Sequence, residues 1–86
     1  MKIIFTDNAK FKFKIFERHG FKISESQLYD IVRKPINTIK GNKGRLIIHG
    51  QFDEMHLIRV ICEIEGETIK IITFYPARRD RYEDQL

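Results

Sequence analysis

The chain has 86 residues, of which 42% are hydrophobic and 33% are charged. This composition is typical of a folded domain, and residues 1–86 are predicted to form a single one. No apolar run approaches the roughly 20 residues that a membrane-spanning helix needs, the residues after Met1 do not resemble a signal peptide, and a single cysteine excludes an internal disulfide. These features predict a cytoplasmic protein without a membrane partner.

The charge is distributed unevenly along the chain. Residues 1–45 contain eleven Lys and Arg against four Asp and Glu, a balance of +7, whereas residues 46–86 contain five against eight, a balance of −3. A basic excess favours a polyanionic partner, above all nucleic acid, through phosphate contacts and counterion release. It is also typical of a solvated lysine face that keeps a small domain soluble.

The first elements predicted are a short strand over residues 2–6 and a helix. Thr6 is a candidate N-cap for this helix, and Gly20 is suited to the position just after its end. Lys10 and Lys14 fall on its outer, basic face. Three apolar residues at helical spacing form the inner face: Ala9, Phe13 and Phe16.

A second helix is predicted to begin after Ser24, because Ser24 and Gln27 have the spacing of a capping box. It runs to about Arg33, and Pro35 ends it. Its apolar face consists of Leu28, Ile31 and Val32.

The second half of the chain is predicted to be strand. A brief strand over residues 37–40 and a turn at Gly41–Gly44 precede three longer strands, over residues 45–52, 56–65 and 68–75. Gly50 interrupts the first of the three as a bulge or an edge kink, and Pro76 ends the last.

The predicted fold is α+β, with two N-terminal helices packed as one layer on an antiparallel sheet. The principal elements follow the order β-α-α-β-β-β, with a C-terminal tail. One core between the helices and the sheet is predicted to contain Phe13, Phe16, Leu28, Ile31, Val60, Cys62 and Ile71.

Several kinds of enzyme lack support in the sequence. His49, His56 and Cys62 do not have the spacing of a zinc site, so no metal or other cofactor is expected. No phosphate-binding glycine-rich motif is present. Cys62 shares the predicted core face of its strand with Ile58, Val60 and Ile64, which argues against a nucleophilic role.

One group of residues remains that could carry chemistry. Arg59 lies in the middle of an apolar strand, on the face opposite Val60 and Cys62, where it must reach solvent or a partner. The following residues are predicted to converge near the same face: Tyr75, Arg78, Arg79, Arg81 and Tyr82. Guanidiniums bind phosphate and tyrosines stack on bases or move protons. The alternative is that Arg59 pairs with Glu63 or a helix carboxylate, while the tail arginines are solvated and balanced by neighbouring acids.

Nearly the whole chain resembles the RelE/ParE-like toxin superfamily. The resemblance is carried by "FTDNAKFKFKIFERHGFKISESQLYDIVRKP" and by "LIRVICEIEGETIKIITFYPARRDRYE", of which "ITFYPARRDRYE" is the most specific part. It is nearest to the small toxins of the BrnT type and a related domain family of unknown function. The resemblance implies a RelE-like fold and a toxin of a type II toxin–antitoxin pair that cleaves mRNA without a metal. Some members instead poison gyrase, and some are not toxins.

The resemblance also implies roles for individual residues. Arg59 and Arg79 would stabilise charge on the scissile phosphate, and Tyr82 would move a proton or stack on a base. The other RNA contacts would come from Arg78, Arg81, Tyr75, Lys10 and Lys14. The implied partners are mRNA or the ribosome, a cognate antitoxin, DNA only through the antitoxin complex, and a second copy in a homodimer. A non-catalytic domain that binds RNA, DNA or protein is the alternative.

A further expectation concerns Leu57 and Ile61, which share the face of Arg59 by period-2 alternation. If the face is open, these two side chains are exposed and can anchor an antitoxin segment. If the tail folds back over the sheet, they are covered.

Overall fold

The structure is a computed structural model that describes residues 2–86, except for the side chain of Gln85. Within this range the chain forms a mixed sheet and two α-helices. The elements are β1 (Lys2–Phe5), α1 (Asp7–Arg18), α2 (Glu25–Arg33), β2 (Asn37–Lys40), β3 (Arg45–Gln51), β4 (His56–Glu65) and β5 (Thr68–Arg78). Two 3₁₀ turns cover Asn42–Gly44 and Arg79–Gln85. The second of these is called the C-terminal segment below.

Both helices begin at the caps that the sequence predicts. The Thr6 hydroxyl accepts a hydrogen bond from the Ala9 amide at 3.1 Å. Ser24 and Gln27 form a reciprocal capping box, with the Ser24 amide donating to Gln27 Oε1 at 2.8 Å. Gly20 follows α1 with a φ of +88°, a left-handed conformation that glycine adopts without steric cost.

The sheet is mixed, so the prediction of an antiparallel sheet was wrong in one pairing. In the strand order β1-β5-β4-β3-β2, β1 pairs with β5 in parallel and the other pairs are antiparallel. No hairpin joins β1 to β5, so their connection does not impose an antiparallel direction. Thr6 fixes the end of β1, because its amide and hydroxyl donate to the carbonyls of Ile71 at 3.0 Å and Ile72 at 2.6 Å.

The predicted brief strand over residues 37–40 is confirmed as β2, which pairs with β3. The order of principal elements omitted it, so four strands follow the helices and not three. One strand boundary also needs correction. Pro76 does not end the last strand, because β5 continues to Arg78 and Pro76 pairs with Ile58. Since β1 pairs only with Thr68–Ile71, the part of β5 that contains Pro76 is a sheet edge, where a missing N–H is tolerated.

Gly50 is neither a bulge nor a kink. It pairs in regular register with Ile58, and the only register shift recorded between described strands lies opposite Ile61/Cys62, where β5 contains the extra residue Ile72. A Cβ at Gly50 would lie 2.6 Å from Cγ2 and 2.7 Å from Cδ1 of Ile31. Glycine at this position therefore lets α2 approach β3.

The predicted core is confirmed. The residues Leu28, Ile31, Val60, Cys62 and Ile71 are buried together, and Phe13 and Phe16 pack against them half-buried. The ring centroid of Phe74 lies 4.7 Å from that of Phe13. This cluster joins α1, α2 and one face of the sheet, and its residues on β4 alternate with Leu57 and Arg59 on the other face.

We expect the thiol of Cys62 to be unreactive in the folded protein. The residue is fully buried, and burial raises the pKa of its thiol, so the nucleophilic thiolate is disfavoured. A chromogenic disulfide reagent should react with it only after denaturant is added. Equal rates for the native and denatured protein would mean that β4 presents Cys62 to solvent and that this facing is wrong.

Candidate functional site

A row of polar side chains crosses the sheet on the face away from the helices. Asn37 of β2 pairs with His49 of β3, His49 pairs with Arg59 of β4, and Arg59 pairs with Tyr75 of β5. Directly opposed residues on neighbouring strands project to the same side, with Cβ atoms about 5 Å apart. Four adjacent strands therefore place an amide, an imidazole, a guanidinium and a phenol side by side.

The C-terminal segment folds back over this row and adds Tyr82 to it. The centroid of the Tyr82 ring lies 4.1 Å from Arg59 Cζ and 5.6 Å from the centroid of the His49 ring. Tyr75 is farther from the same guanidinium, at 5.8 Å. We call His49, Arg59, Tyr75 and Tyr82 the Arg59 cluster. Its formation brings together three residues predicted for the site and one, His49, that was considered only as a metal ligand.

Arg59 does not form the ion pair that the alternative interpretation required. Glu63 pairs instead with Arg45, at 3.3 Å, and no carboxylate among the described side chains lies within ion-pair distance of Arg59. Arg59 is only 9% exposed, and its Nε and Nη1 atoms are buried without a hydrogen-bond partner. The aromatic rings of Tyr75 and Tyr82 lie next to the guanidinium, and the donors at Nε and Nη1 are left unsatisfied.

His49 is fully buried and is held in one tautomer by Asn37. Its Nδ1 lies 2.7 Å from Asn37 Oδ1, which is a carbonyl oxygen and can only accept, so Nδ1 carries the hydrogen. Burial lowers the pKa of the imidazole, and the positive charge of Arg59 lowers it further. The ring is therefore neutral at pH 7, with a lone pair on Nε2, which is buried and has no hydrogen-bond partner.

We expect ¹⁵N NMR of the imidazole to show the Nδ1–H tautomer of His49 and a titration midpoint below 6.5. The sign follows from the pKa direction, because the unfolded chain takes up the proton at a higher pH than the folded one. His49 should therefore reduce stability as the pH falls below about 6.5. A midpoint above 6.5 would contradict burial and Arg59 as the causes of the lowered pKa, and the Nε2–H tautomer would contradict the hydrogen bond from Nδ1 to Asn37.

The tail arginines do not converge on the cluster as a group. Arg78 is directly opposed to His56 on β4, so it projects to the face of His56 and not to that of Arg59. Arg79 anchors the C-terminal segment, since its amide donates to the Met55 carbonyl at 2.9 Å and its Nη1 to Gln51 Oε1. Arg78 is exposed and pairs with Asp80 at 3.3 Å, as the solvated-tail interpretation expected. Arg81 is exposed. Of the three, Arg79 is the one whose contacts lie on the cluster's face, since Gln51 is directly opposed to Leu57.

Lys10 and Lys14 are not brought near the cluster. Both are exposed on α1, which packs on the opposite face of the sheet through the contacts of Phe13 and Phe16 with Phe74. Because Phe74 and Tyr75 are neighbours on β5, they project to opposite faces. A ligand in contact with Arg59 is thus separated from both lysines by the sheet.

Of the two alternatives for the face that Leu57 shares with Arg59, open or covered, the covered one holds at Leu57. Leu57 is fully buried, with 0% of its surface exposed, although it does not belong to the core between the helices and the sheet. Leu57 is directly opposed to Gln51 and Ala77, and Gln51 accepts a hydrogen bond from Arg79 of the C-terminal segment. Ile61 on the same face is half-buried. Leu57 is therefore not available to a partner segment.

His56 occupies the other face, as alternation predicts. Its ring lies 5.0 Å from that of Phe21, and its Nδ1 is 3.0 Å from Asp53 Oδ1. Over residues 2–86, no three His, Cys, Asp or Glu side chains are grouped so that they could hold a metal ion. None of the helices in that range is both long and apolar enough to cross a membrane.

Comparisons with known proteins give no match of any kind: no family model, no curated protein sequence and no solved structure is significantly similar to this chain. The resemblance to RelE/ParE-like toxins therefore stays a prediction.

Proposed function

We propose that this protein is a metal-independent endoribonuclease with a RelE-like, two-layer fold. The observation that carries the proposal is the Arg59 cluster, in which an unpaired guanidinium, a neutral imidazole and two phenols meet on one sheet face. RNA cleavage without a metal needs cationic donors for the phosphate and groups that transfer protons. The cluster supplies both kinds of group within one contact network.

In the proposed reaction, a base removes the proton of a ribose 2′-hydroxyl, and the oxygen attacks the adjacent phosphorus. The 5′-oxygen of the next nucleotide leaves with a proton from an acid, and a 2′,3′-cyclic phosphate remains. Arg59 and Arg79 stabilise the charge on the phosphate oxygens, and Arg78 and Arg81 position the RNA backbone. Tyr82, with Tyr75 as the second candidate, donates the proton or stacks on a base.

The biological setting we propose is that of a toxin in a type II toxin–antitoxin pair. It would act in the cytoplasm on mRNA, free or on the ribosome, without a membrane, and a cognate antitoxin would silence it. DNA would be contacted only by the complex of the two proteins. The exposed guanidiniums of Arg78 and Arg81 fit an acidic antitoxin segment. Leu57 is fully buried and is not an anchor for that segment.

A second candidate function is RNA binding without cleavage. It is favoured by the position of Tyr82 over Arg59, which leaves the guanidinium 9% exposed, and by exposed Lys10 and Lys14 on α1. In that case the cluster fastens the C-terminal segment, and the lysine face holds the polyanion.

One experiment separates the two functions. The purified protein is incubated with a 5′-labelled mRNA in the presence of EDTA, and binding of the same RNA is measured at rising salt. Cleavage that leaves cyclic phosphate and 5′-hydroxyl ends supports the ribonuclease. Intact RNA with salt-sensitive binding supports the binding domain. Intact RNA without binding would contradict both. Lys14→Ala separates the two further: it should weaken RNA binding if the lysine face of α1 holds the RNA, and leave cleavage unchanged if the Arg59 cluster cleaves it.

A further inference from the structure

Three buried polar atoms without partners are concentrated in two neighbouring residues. They are His49 Nε2, Arg59 Nε and Arg59 Nη1. Buried polar groups in native proteins are nearly always hydrogen-bonded, so a local group of exceptions points to a missing ligand. His49 and Arg59 are directly opposed on β3 and β4, and both contact the ring of Tyr82. The three atoms therefore belong to a single site.

The chemistry of these atoms specifies what the ligand must present. Arg59 offers only N–H donors, so the ligand must supply acceptor oxygens, and the fixed charge favours an anion. His49 Nε2 carries a lone pair, because its Nδ1 is bound to Asn37 Oδ1 at 2.7 Å. This atom requires a donor. The complement is an oxyanion with a hydroxyl group beside it.

Tyr82 covers the site without satisfying Arg59. The ring centroid lies 4.1 Å from Arg59 Cζ, and Nε and Nη1 of Arg59 still have no hydrogen-bond partner. Entry of a ligand requires the C-terminal segment to move. The contacts that hold the segment near its start are the Arg79 amide to the Met55 carbonyl at 2.9 Å, Arg79 to Gln51, and the exposed pair of Arg78 with Asp80. Exposed pairs of that kind stabilise little.

We propose that His49 and Arg59 form a binding site for an oxyanion with an adjacent hydroxyl, and that its source is a ribose 2′-hydroxyl next to a 3′-phosphate. Arg59 binds the phosphate oxygens, and His49 Nε2 accepts the hydrogen bond of the 2′-hydroxyl. Asn37 is a positioning residue that holds the imidazole in the accepting tautomer. The choice of ribose rests on the proposed function, whereas a hydrogen phosphate ion has the same pair of groups and is the other source.

Binding of three small molecules that cannot be cleaved tests the site. We would titrate the ¹⁵N-labelled protein with adenosine 3′-monophosphate, its 2′-deoxy analogue and inorganic phosphate. The ribonucleotide should bind about 3- to 10-fold more tightly than the deoxynucleotide, the effect of one hydrogen bond. It should also shift the His49 Nε2 resonance, which the deoxynucleotide leaves nearly unchanged.

Variants of His49 and Arg59 show which residue is responsible for the preference for the ribonucleotide. His49→Phe keeps an aromatic ring but removes Nε2, so the ratio between the two nucleotides should fall to about one. Arg59→Met should weaken both nucleotides together. Arg45→Ala, which removes an exposed arginine paired with Glu63 on the same sheet, should leave affinities and ratio unchanged. Should His49→Phe fail to fold, the Nε2 shift in the wild-type protein tests the proposal without it.

Nucleotide binding tests the His49–Arg59 site independently of RNA cleavage. Nucleotide preference with an Nε2 shift supports the site, whether or not long RNA is cleaved. Equal binding of the two nucleotides overturns it, even if RNA is cleaved. Inorganic phosphate that binds as tightly as the ribonucleotide and shifts Nε2 overturns the ribose assignment and identifies hydrogen phosphate as the ligand.

Discussion

Gly50→Ala is expected to lower the free energy of unfolding by about 1–3 kcal/mol, the usual cost of overpacking a core. The added methyl group would lie 2.6 Å from Cγ2 and 2.7 Å from Cδ1 of Ile31, and Ile31 is itself buried on α2. The helix must therefore move away from β3. For a domain of this size, about 1 kcal/mol shifts the melting temperature by roughly 4–8 °C, which thermal unfolding resolves.

Gly41→Ala is the matched control. Its φ is −98°, which alanine adopts, and an added Cβ would lie no closer than 3.4 Å to the Arg45 carbonyl oxygen. Its stability should remain within about 0.5 kcal/mol of the wild type. If Gly50→Ala melts at the wild-type temperature or above it, the close approach of α2 to β3 is wrong.

A double substitution isolates the contact between Gly50 and Ile31. Ile31→Ala alone should cost about 2–5 kcal/mol because it leaves a cavity. Gly50→Ala in that background should cost less than it does alone, since the side chain that it displaces has been shortened. A coupling of about 0.5–3 kcal/mol between the two sites is expected, and strictly additive effects would contradict direct contact.

The elements that local chemistry determines could be predicted from the sequence. The caps at Thr6 and Ser24 depend on side chains within three residues of the amides they bind, and both helices begin there. Period-2 alternation placed Val60 and Cys62 in the core and Arg59 on the other face, because β4 is regular over this stretch. Such features need no knowledge of distant parts of the chain.

The remaining features depend on pairing between distant segments. On β5, Ile69 and Ile71 face the core before the extra residue Ile72, and Phe74 faces it afterwards. The bulge changes the parity of the strand, and without it Phe74 and not Tyr75 would oppose Arg59. The parallel pairing of β1 with β5 and the continuation of β5 past Pro76 also follow from neighbours that local patterns do not reveal.

The candidate site was predictable only in part for the same reason. Arg59 was identifiable as a charge in an apolar strand, and Tyr82 as part of a tail rich in arginine. His49 was missed because its importance comes from register: the hairpin of β3 and β4 places it opposite Arg59. Pairing the residues of β3 and β4 in order, starting from the loop that joins them, would have placed His49 opposite Arg59. The return of Tyr82 over the sheet depends on Arg79 and its contacts with Met55 and Gln51.

Arg59→Met is expected to change stability and activity in opposite directions. Methionine has a similar length and keeps an apolar contact with Tyr82, but it removes two buried donors that have no partner. The two unsatisfied donors together cost about 2–6 kcal/mol, against about 2 kcal/mol for a desolvated cation–π contact. The free energy of unfolding should therefore rise, by up to about 4 kcal/mol, as measured by chemical denaturation.

Cleavage of RNA by the same variant should fall at least about 100-fold, because a fixed donor to the developing charge on phosphate is lost. Arg45→Met is the control, since that arginine is exposed and paired with Glu63 at 3.3 Å, and both properties should stay close to those of the wild type. If Arg59→Met is less stable than the wild type, the contact of Arg59 with Tyr82 contributes more to the free energy of unfolding than the two unsatisfied donors of Arg59 take from it. A variant that is stable and still cleaves RNA would exclude Arg59 from charge stabilisation. Greater stability combined with lost cleavage is the result expected of a residue retained for its function at a cost to the fold.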